Sequence, residues 1–240
     1  MDLPKAGPAR AAALGQGWAG GLAHAGSGPD KERVMVWPEP ERVGQGGALV
    51  VAEGIFATTP IATTAGWCPA GDLGPGALVM TFDGGSQPVL QAQVLAIEDA
   101  PPGLWPLLVP AWAMDNRDDL VLLPDQKVLI ESDAAEDLYG DPLALIPARA
   151  LEGWRGIERF RPLPMSVAVQ LCFARHQVIY ASRGVLLSCA GDPLTDTDWR
   201  ARDYSSYSLA QAQHLIACLM AEETGAALRM AEQRRSGSGV

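Results

Sequence analysis

Histidine and cysteine are scarce in this chain: three His (His24, His176, His214) and four Cys (Cys68, Cys172, Cys189, Cys218) in 240 residues. The cysteines are scattered without C-x-x-C spacing, which excludes a zinc knuckle and a dense disulfide framework. A Cys172–Cys189 bridge would rest on spacing alone. Basic residues are also short, 18 Lys and Arg against 28 Asp and Glu, for a net charge of −10. That balance repels phosphate backbones and anionic lipid, so neither nucleic acid nor a basic membrane anchor is expected. Long apolar runs are missing too, and nothing approaches the roughly 20 residues that span a bilayer. Pro and Gly interrupt residues 1–28, which do not read as a secretory signal, so a cytoplasmic chain with reduced thiols is expected. The glycine-rich "GQGWAGG" is not set between a strand and a helix and makes no phosphate loop.

What the chain has is enough apolar content, 48%, to bury a core. Residues 1–47 read as an Ala/Gly/Pro-rich arm, with an edge strand over 33–43 that "PEPE" ends. Residues 48–195 carry short β-prone runs such as "GALVMTF", "PVLQAQVLAI", "KVLIES", "SVAVQLCFA" and "QVIYASRGVLL". Well-marked turns separate them, "FDGGSQP" being the strongest hairpin signal because glycine reaches positive φ without steric cost. This pattern predicts a mainly β domain. Residues 196–240 read as a helical extension: Leu209, Ala212, Ile216, Leu219 and Glu223 fall at helical spacing. A serine among 205, 206 and 208 caps it, and Gly225 breaks or kinks it, leaving one helix or a helix pair.

The order of segments resembles the Hint (Hedgehog/intein) domain in its bacterial short form. The matching stretches are "GIFATTPIATTAGWCPAGDLGPGALVMTFDGGSQPV", "LVPAWAMDNRDDLVLLPDQKVLI", "LYGDPLALIPARAL" and "VAVQLCFARHQVIYASRGVLLSCAGD". Members of this type show a Cys-Phe start followed by "GTxIxT", then "DLxPGDxV", "LLxSPxHRVL", "VPAxxL" and "HLxFxxHEVxxAEG". The resemblance implies a horseshoe-like fold of short antiparallel strands in two related halves. It also implies a reaction: a Cys thiol attacks the carbonyl before it, and the motif His protonates the departing amide nitrogen.

Set against those motifs, this chain departs where the chemistry sits. Gly54 stands at the nucleophile position, and sliding by one offers Ile55; neither can attack a carbonyl. Gln126 stands at the motif His, with Leu123 at its usual Ser, and glutamine cannot cycle a proton. Gln170 replaces the His of "HLxF". His176 alone matches a family histidine and reads as structural, bonded to a backbone carbonyl at a strand edge.

Other candidates are weaker. Thr58 and Thr59 read as β-strand threonines, and Cys68 as a small turn residue with no base nearby. His24 and His214 pair with no second ligand. Asp115, Asp118 and Asp119 lack the Gly and Glu of a calcium loop, while Asp192, Asp196 and Asp198 read as a solvated turn. Of seven tryptophans, most are expected at the core or its edge and one or two at an interface. The expectation is a degenerate Hint-like protein, not an enzyme, with no cofactor and no metal. It would serve as an interaction or assembly subunit, meeting a protein partner or its own copy through the arm and the C-terminal helix. Two rivals remain: self-cleavage near Glu53–Gly54, using Thr58, Thr59 or Cys68 if the site is displaced, and a small-molecule or metal enzyme around His176, Gln126 and Gln170.

Overall fold

The structure, a computed structural model, describes residues 52–97, 101–196 and 204–237, with backbone only over 231–237. The expected arm, its edge strand over 33–43, Trp18, His24, Trp37, Asp198 and Trp199 lie outside the described residues.

The short apolar runs form strands. They begin with β1 (Ile55–Phe56), β2 (Pro60–Thr63), β3 (Gly66–Pro69), β4 (Leu78–Met80), β5 (Ser86–Pro88), β6 (Gln91–Ala96), β7 (Leu107–Val109) and β8 (Leu120–Leu122). They continue with β9 (Lys127–Glu131), β10 (Leu143–Pro147), β11 (Glu158–Arg159), β12 (Val167–Phe173), β13 (Gln177–Ala181), β14 (Val185–Gly191) and β15 (Ser205–Ser206). The "DGG" hairpin joins β4 to β5 in antiparallel pairing, with Gly85 at φ +65°. Thr81 Oγ1 pins that turn, donating to the Gly85 carbonyl at 2.9 Å and accepting from Gly84 N at 3.0 Å.

β12 organises the sheet. It pairs antiparallel with β1 and with β6, and parallel with β14. A strand with neighbours on both edges and cover on both faces reads as a continuous apolar run. "VAVQLCF" is that run, with Gln170 its one polar side chain. β14 continues to β13 and β9, and β9 to β10. The main core gathers Ile61, Val79, Leu107, Leu151, Phe173, Ile179 and Leu187 from these strands and their connections.

Helices depart from the expected layout in three places. First, α1 (Asp133–Tyr139) interrupts the β region. Ser132 caps it by accepting from Ala135 N, and Gly140 closes it at φ +79°, so cap and stop signals outweighed a neighbouring strand pattern. Second, the segment after residue 195 is not purely helical, since β15 pairs parallel with β10.

Third, Gly225 does not break the C-terminal helix: of the two expected forms, a single helix, α2 (Leu209–Gly237), is the one present. Gly225 lies inside it; its penalty of about 1 kcal/mol is absorbed by strong helix formers such as Ala226, Ala227 and Leu228 beside it. Ser208 is the cap: its Oγ accepts from Gln211 N at 3.4 Å while Gln211 Oε1 accepts from Ser208 N at 3.1 Å. Ala212, Leu215 and Ile216 bury against the β domain, with Leu219 packed beside them. Leu209 stays at the rim, and Glu223 pairs with Arg155 at 2.7 Å.

Candidate functional site

Glu53 and Gly54 lead into β1, whose register with β12 sets Ile55 opposite Val169 and hence Gly54 beside Gln170. Gly54 is buried with φ +141°, a conformation that residues with a Cβ rarely adopt. Space does not forbid a side chain there, since an added Cβ would stand 3.5 Å from Ala168 Cβ, Gln170 Cγ and the Val169 carbonyl. The backbone angle is the obstacle. Gln170 Nε2 donates to the carbonyl oxygen of Glu53 at 3.1 Å, the carbonyl a nucleophile at position 54 would attack.

Gln126 sits in the turn before β9 and is 2% exposed. Its Nε2 donates to the Ser188 carbonyl at 2.9 Å and to the Lys127 carbonyl at 3.1 Å. Both amide protons are therefore spent on main-chain oxygens. Leu123, where the resemblance has a serine, is fully buried.

His176 lies in the turn between β12 and β13. Its Nε2 stands 2.8 Å from Ser188 Oγ, a side-chain partner that the sequence did not suggest, and its main-chain N–H donates to Asp196 Oδ2 at 2.9 Å. Asp192 is buried, not solvated, and its Oδ1 accepts from Leu194 N at 3.0 Å. Ser188 thus gathers Gln126 on its carbonyl and His176 on its hydroxyl. Sequence reading missed it, although Ser188 is the one hydroxyl in the apolar run "VLLSCAG".

The next residue, Cys189, faces the other way into the main core. Burial pushes its thiol up, and the Glu53 carboxylate and the Cys172 thiol push it the same way. Cys172 is also raised, by burial first and then by Asp192 and Asp196. Both are free thiols, so no bridge joins them. Neither environment produces a thiolate.

Cys68 is in strand β3 and not in a turn; it lies opposite Ile61 and packs against the core. Thr59 is buried and Thr58 exposed. In the 110–119 loop, fully buried Asn116 donates through Nδ2 to the carbonyls of Pro110 and Asp118 at 2.9 Å each, and Asp119 Oδ1 accepts from Ala111 N at 2.9 Å. Among the described residues, no three His, Cys, Asp or Glu gather closely enough to hold a metal ion. Trp154 is buried and Trp105 partly so, whereas Trp67 and Trp112 are 44% and 68% exposed. An open groove of about 280 Å³ between residues 149–152 and α2 includes none of Gly54, Gln126, Gln170 and His176.

The elements above define a mainly β protein of many short strands with a long C-terminal helix. A family model described as the Hint domain matches residues 54–187, more than half of the chain, and the chain belongs to that family. The solution structure of a bacterial intein-like domain from Clostridium thermocellum is similar at 12% identity and a TM-score of 0.42, covering 56% of this chain and 97% of that one. The crystal structure of the MchDnaB-1 intein (N145AA) is similar at 19% identity and a TM-score of 0.37, covering 57% and 98%. The gp41-1 intein follows at 10% identity and 0.35, covering 55% and 96%. No curated protein matches. Among the described residues no helix is long and apolar enough to cross a membrane.

Proposed function

We propose that this Hint domain has lost peptide-bond rearrangement and serves as a non-catalytic interaction or assembly subunit. The observation that carries the first half is the junction itself. Gly54 has no side chain to attack the Glu53 carbonyl, and its φ of +141° disfavours any residue that would. Gln126 supports it, because a buried amide committed to two carbonyls offers no proton to a leaving nitrogen. Cys189 supports it as well: the cysteine whose thiol feels the Glu53 carboxylate is held protonated. A scaffold kept without its chemistry is kept for its surfaces, which is the argument for a protein partner or a second copy. The arm and α2 are the proposed docking elements. No cofactor is proposed, and a cytoplasmic location goes with this reading.

Self-cleavage at Glu53–Gly54 is the second reading, and one contact favours it. The Gln170 amide on the Glu53 carbonyl is the kind of donor that stabilises an oxyanion. Intact-mass measurement of the purified full chain, incubated with and without a thiol nucleophile, separates the two. We expect the full-length mass alone. A species lacking residues 1–53 overturns the loss of chemistry. For the assembly half, affinity capture of the full chain should recover a stoichiometric partner or copy that is lost on truncation after Thr224. Recovery of the chain alone as a monomer overturns it.

A further inference from the structure

Helix α2 carries a pair of metal donors that the Hint reading does not use. His214 and Cys218 stand four residues apart, with Cys218 Sγ 3.9 Å from His214 Nε2. Sequence reading gave His214 no second ligand; the helix supplies one a turn away. Residues at i and i+4 share a face of an α-helix. The same spacing lets two histidines hold zinc in a helical H-E-x-x-H segment. The turn between the donors is fixed: Leu215 is fully buried and Ile216 is 3% exposed, so the backbone there is anchored on the β domain. Tyr139 Oη ties the preceding turn by donating to the Gln211 carbonyl at 3.1 Å. His214 itself is exposed and Cys218 half-buried, so an ion reaches both from solvent.

Distance separates two uses of the pair. At 3.9 Å a thiol–imidazole hydrogen bond is long and weak. Zinc–sulfur bonds of about 2.3 Å and zinc–nitrogen bonds of about 2.0–2.1 Å at a tetrahedral angle put the two donors about 3.6 Å apart. The pair therefore needs to close by only about 0.3 Å to hold such an ion. Donors already aimed at a common point lose little side-chain freedom on binding. Charge agrees with a cation: Glu222 follows Cys218 by one further turn, and no Lys or Arg falls between Leu209 and Leu228.

We infer that His214 and Cys218 form a two-donor site for a thiophilic divalent ion of the zinc class. Binding replaces the S–H bond by an S–metal bond. The thiol proton leaves to solvent, and the neutral imidazole gives its Nε2 lone pair. A thiolate with an imidazole selects zinc or cobalt over magnesium and calcium, which take oxygen ligands. Among the described residues no third His, Cys, Asp or Glu joins the pair. Water fills the remaining positions, so the ion exchanges readily and chelators remove it. A ring closed across one helical turn staples α2 along the stretch that packs on the β domain. The site rests on α2 alone, so neither cleavage at Glu53–Gly54 nor failure to capture a partner affects it.

The test is cobalt(II) titration of the purified full chain, reduced and freed of metal, read by thiolate-to-cobalt charge-transfer absorption. Cys218→Ser and His214→Gln are titrated beside it, with circular dichroism to check that they fold. We expect one ion per chain, displaced by zinc and not by magnesium. The charge-transfer band should vanish in Cys218→Ser. Affinity should fall at least about tenfold in His214→Gln, since losing even an outer partner of a metal ligand costs that much. Zinc should also slow alkylation of Cys218, read residue by residue by peptide mass, and leave Cys68 unchanged. No charge-transfer band, a band that survives in Cys218→Ser, unaltered affinity in His214→Gln or displacement by magnesium overturns the inference. Should either variant misfold, wild-type alkylation decides, and a Cys218 that zinc does not protect overturns it.

Discussion

Gln170 holds the carbonyl of Glu53 through its side-chain amide at 3.1 Å. In a catalytic Hint domain the carbonyl before the first residue is the electrophile; here a donor is in place and residue 54 carries no side chain. The contact ties the entry of β1 to the central strand β12.

Restoring the family's cysteine should therefore not restore the reaction. Gly54→Cys keeps contact distances of 3.5 Å but must hold a Cβ-bearing residue at φ +141°. We expect a loss of about 1–3 kcal/mol in urea unfolding and no cleaved species by intact mass. Cleavage in the single variant would mean that only the nucleophile was missing.

Gln126→Leu removes both donors from the Ser188 and Lys127 carbonyls in a site 2% exposed. Leaving buried acceptors unpaired costs about 1–3 kcal/mol, read as a lower denaturation midpoint at constant m-value. An unchanged midpoint would show that water or a rearranged side chain takes over.

The buried thiols set a pH dependence. Folding raises both Cys172 and Cys189 above the ordinary 9.0. The folded state then holds these protons where the unfolded state gives them up, so the stability is present in full below pH 9.0 and lost as pH rises above it. Each thiol adds a slope of at most about 1.4 kcal/mol per pH unit. Denaturant midpoints above pH 9.0 should fall less steeply in Cys189→Ala than in wild type. Ellman's reagent should label Cys68 and Cys218 in the folded chain and leave Cys172 and Cys189 until unfolding.

The two halves of α2 should separate in a truncation series. Leu215 is fully buried with Ala212 and Ile216, so Leu215→Ala should cost about 2–5 kcal/mol. Deleting residues 205–240 should do more damage still. Ending the chain after Thr224 keeps the buried stripe and the Glu223–Arg155 pair, and its thermal midpoint should stay close to wild type.

The sequence determined the strands, the hairpin at Asp83–Gly85, the helical stripe of α2 and the family, because these are written in local period and turn chemistry. It placed Gly54, Gln126, Gln170 and His176 as single positions. It missed α1 inside the β region, expected Gly225 to break a helix that runs through it, and put Cys68 in a turn where the sheet took it. Only the tertiary structure decided that Gln126 and His176 meet at Ser188 and that Gln170 holds Glu53. Gln126 and Ser188 are 62 residues apart, and Gln170 and Glu53 are 117 apart. Such contacts depend on which strands share an edge, and sheet pairing is settled by burial over the whole chain, whereas period and turn are settled within a few residues.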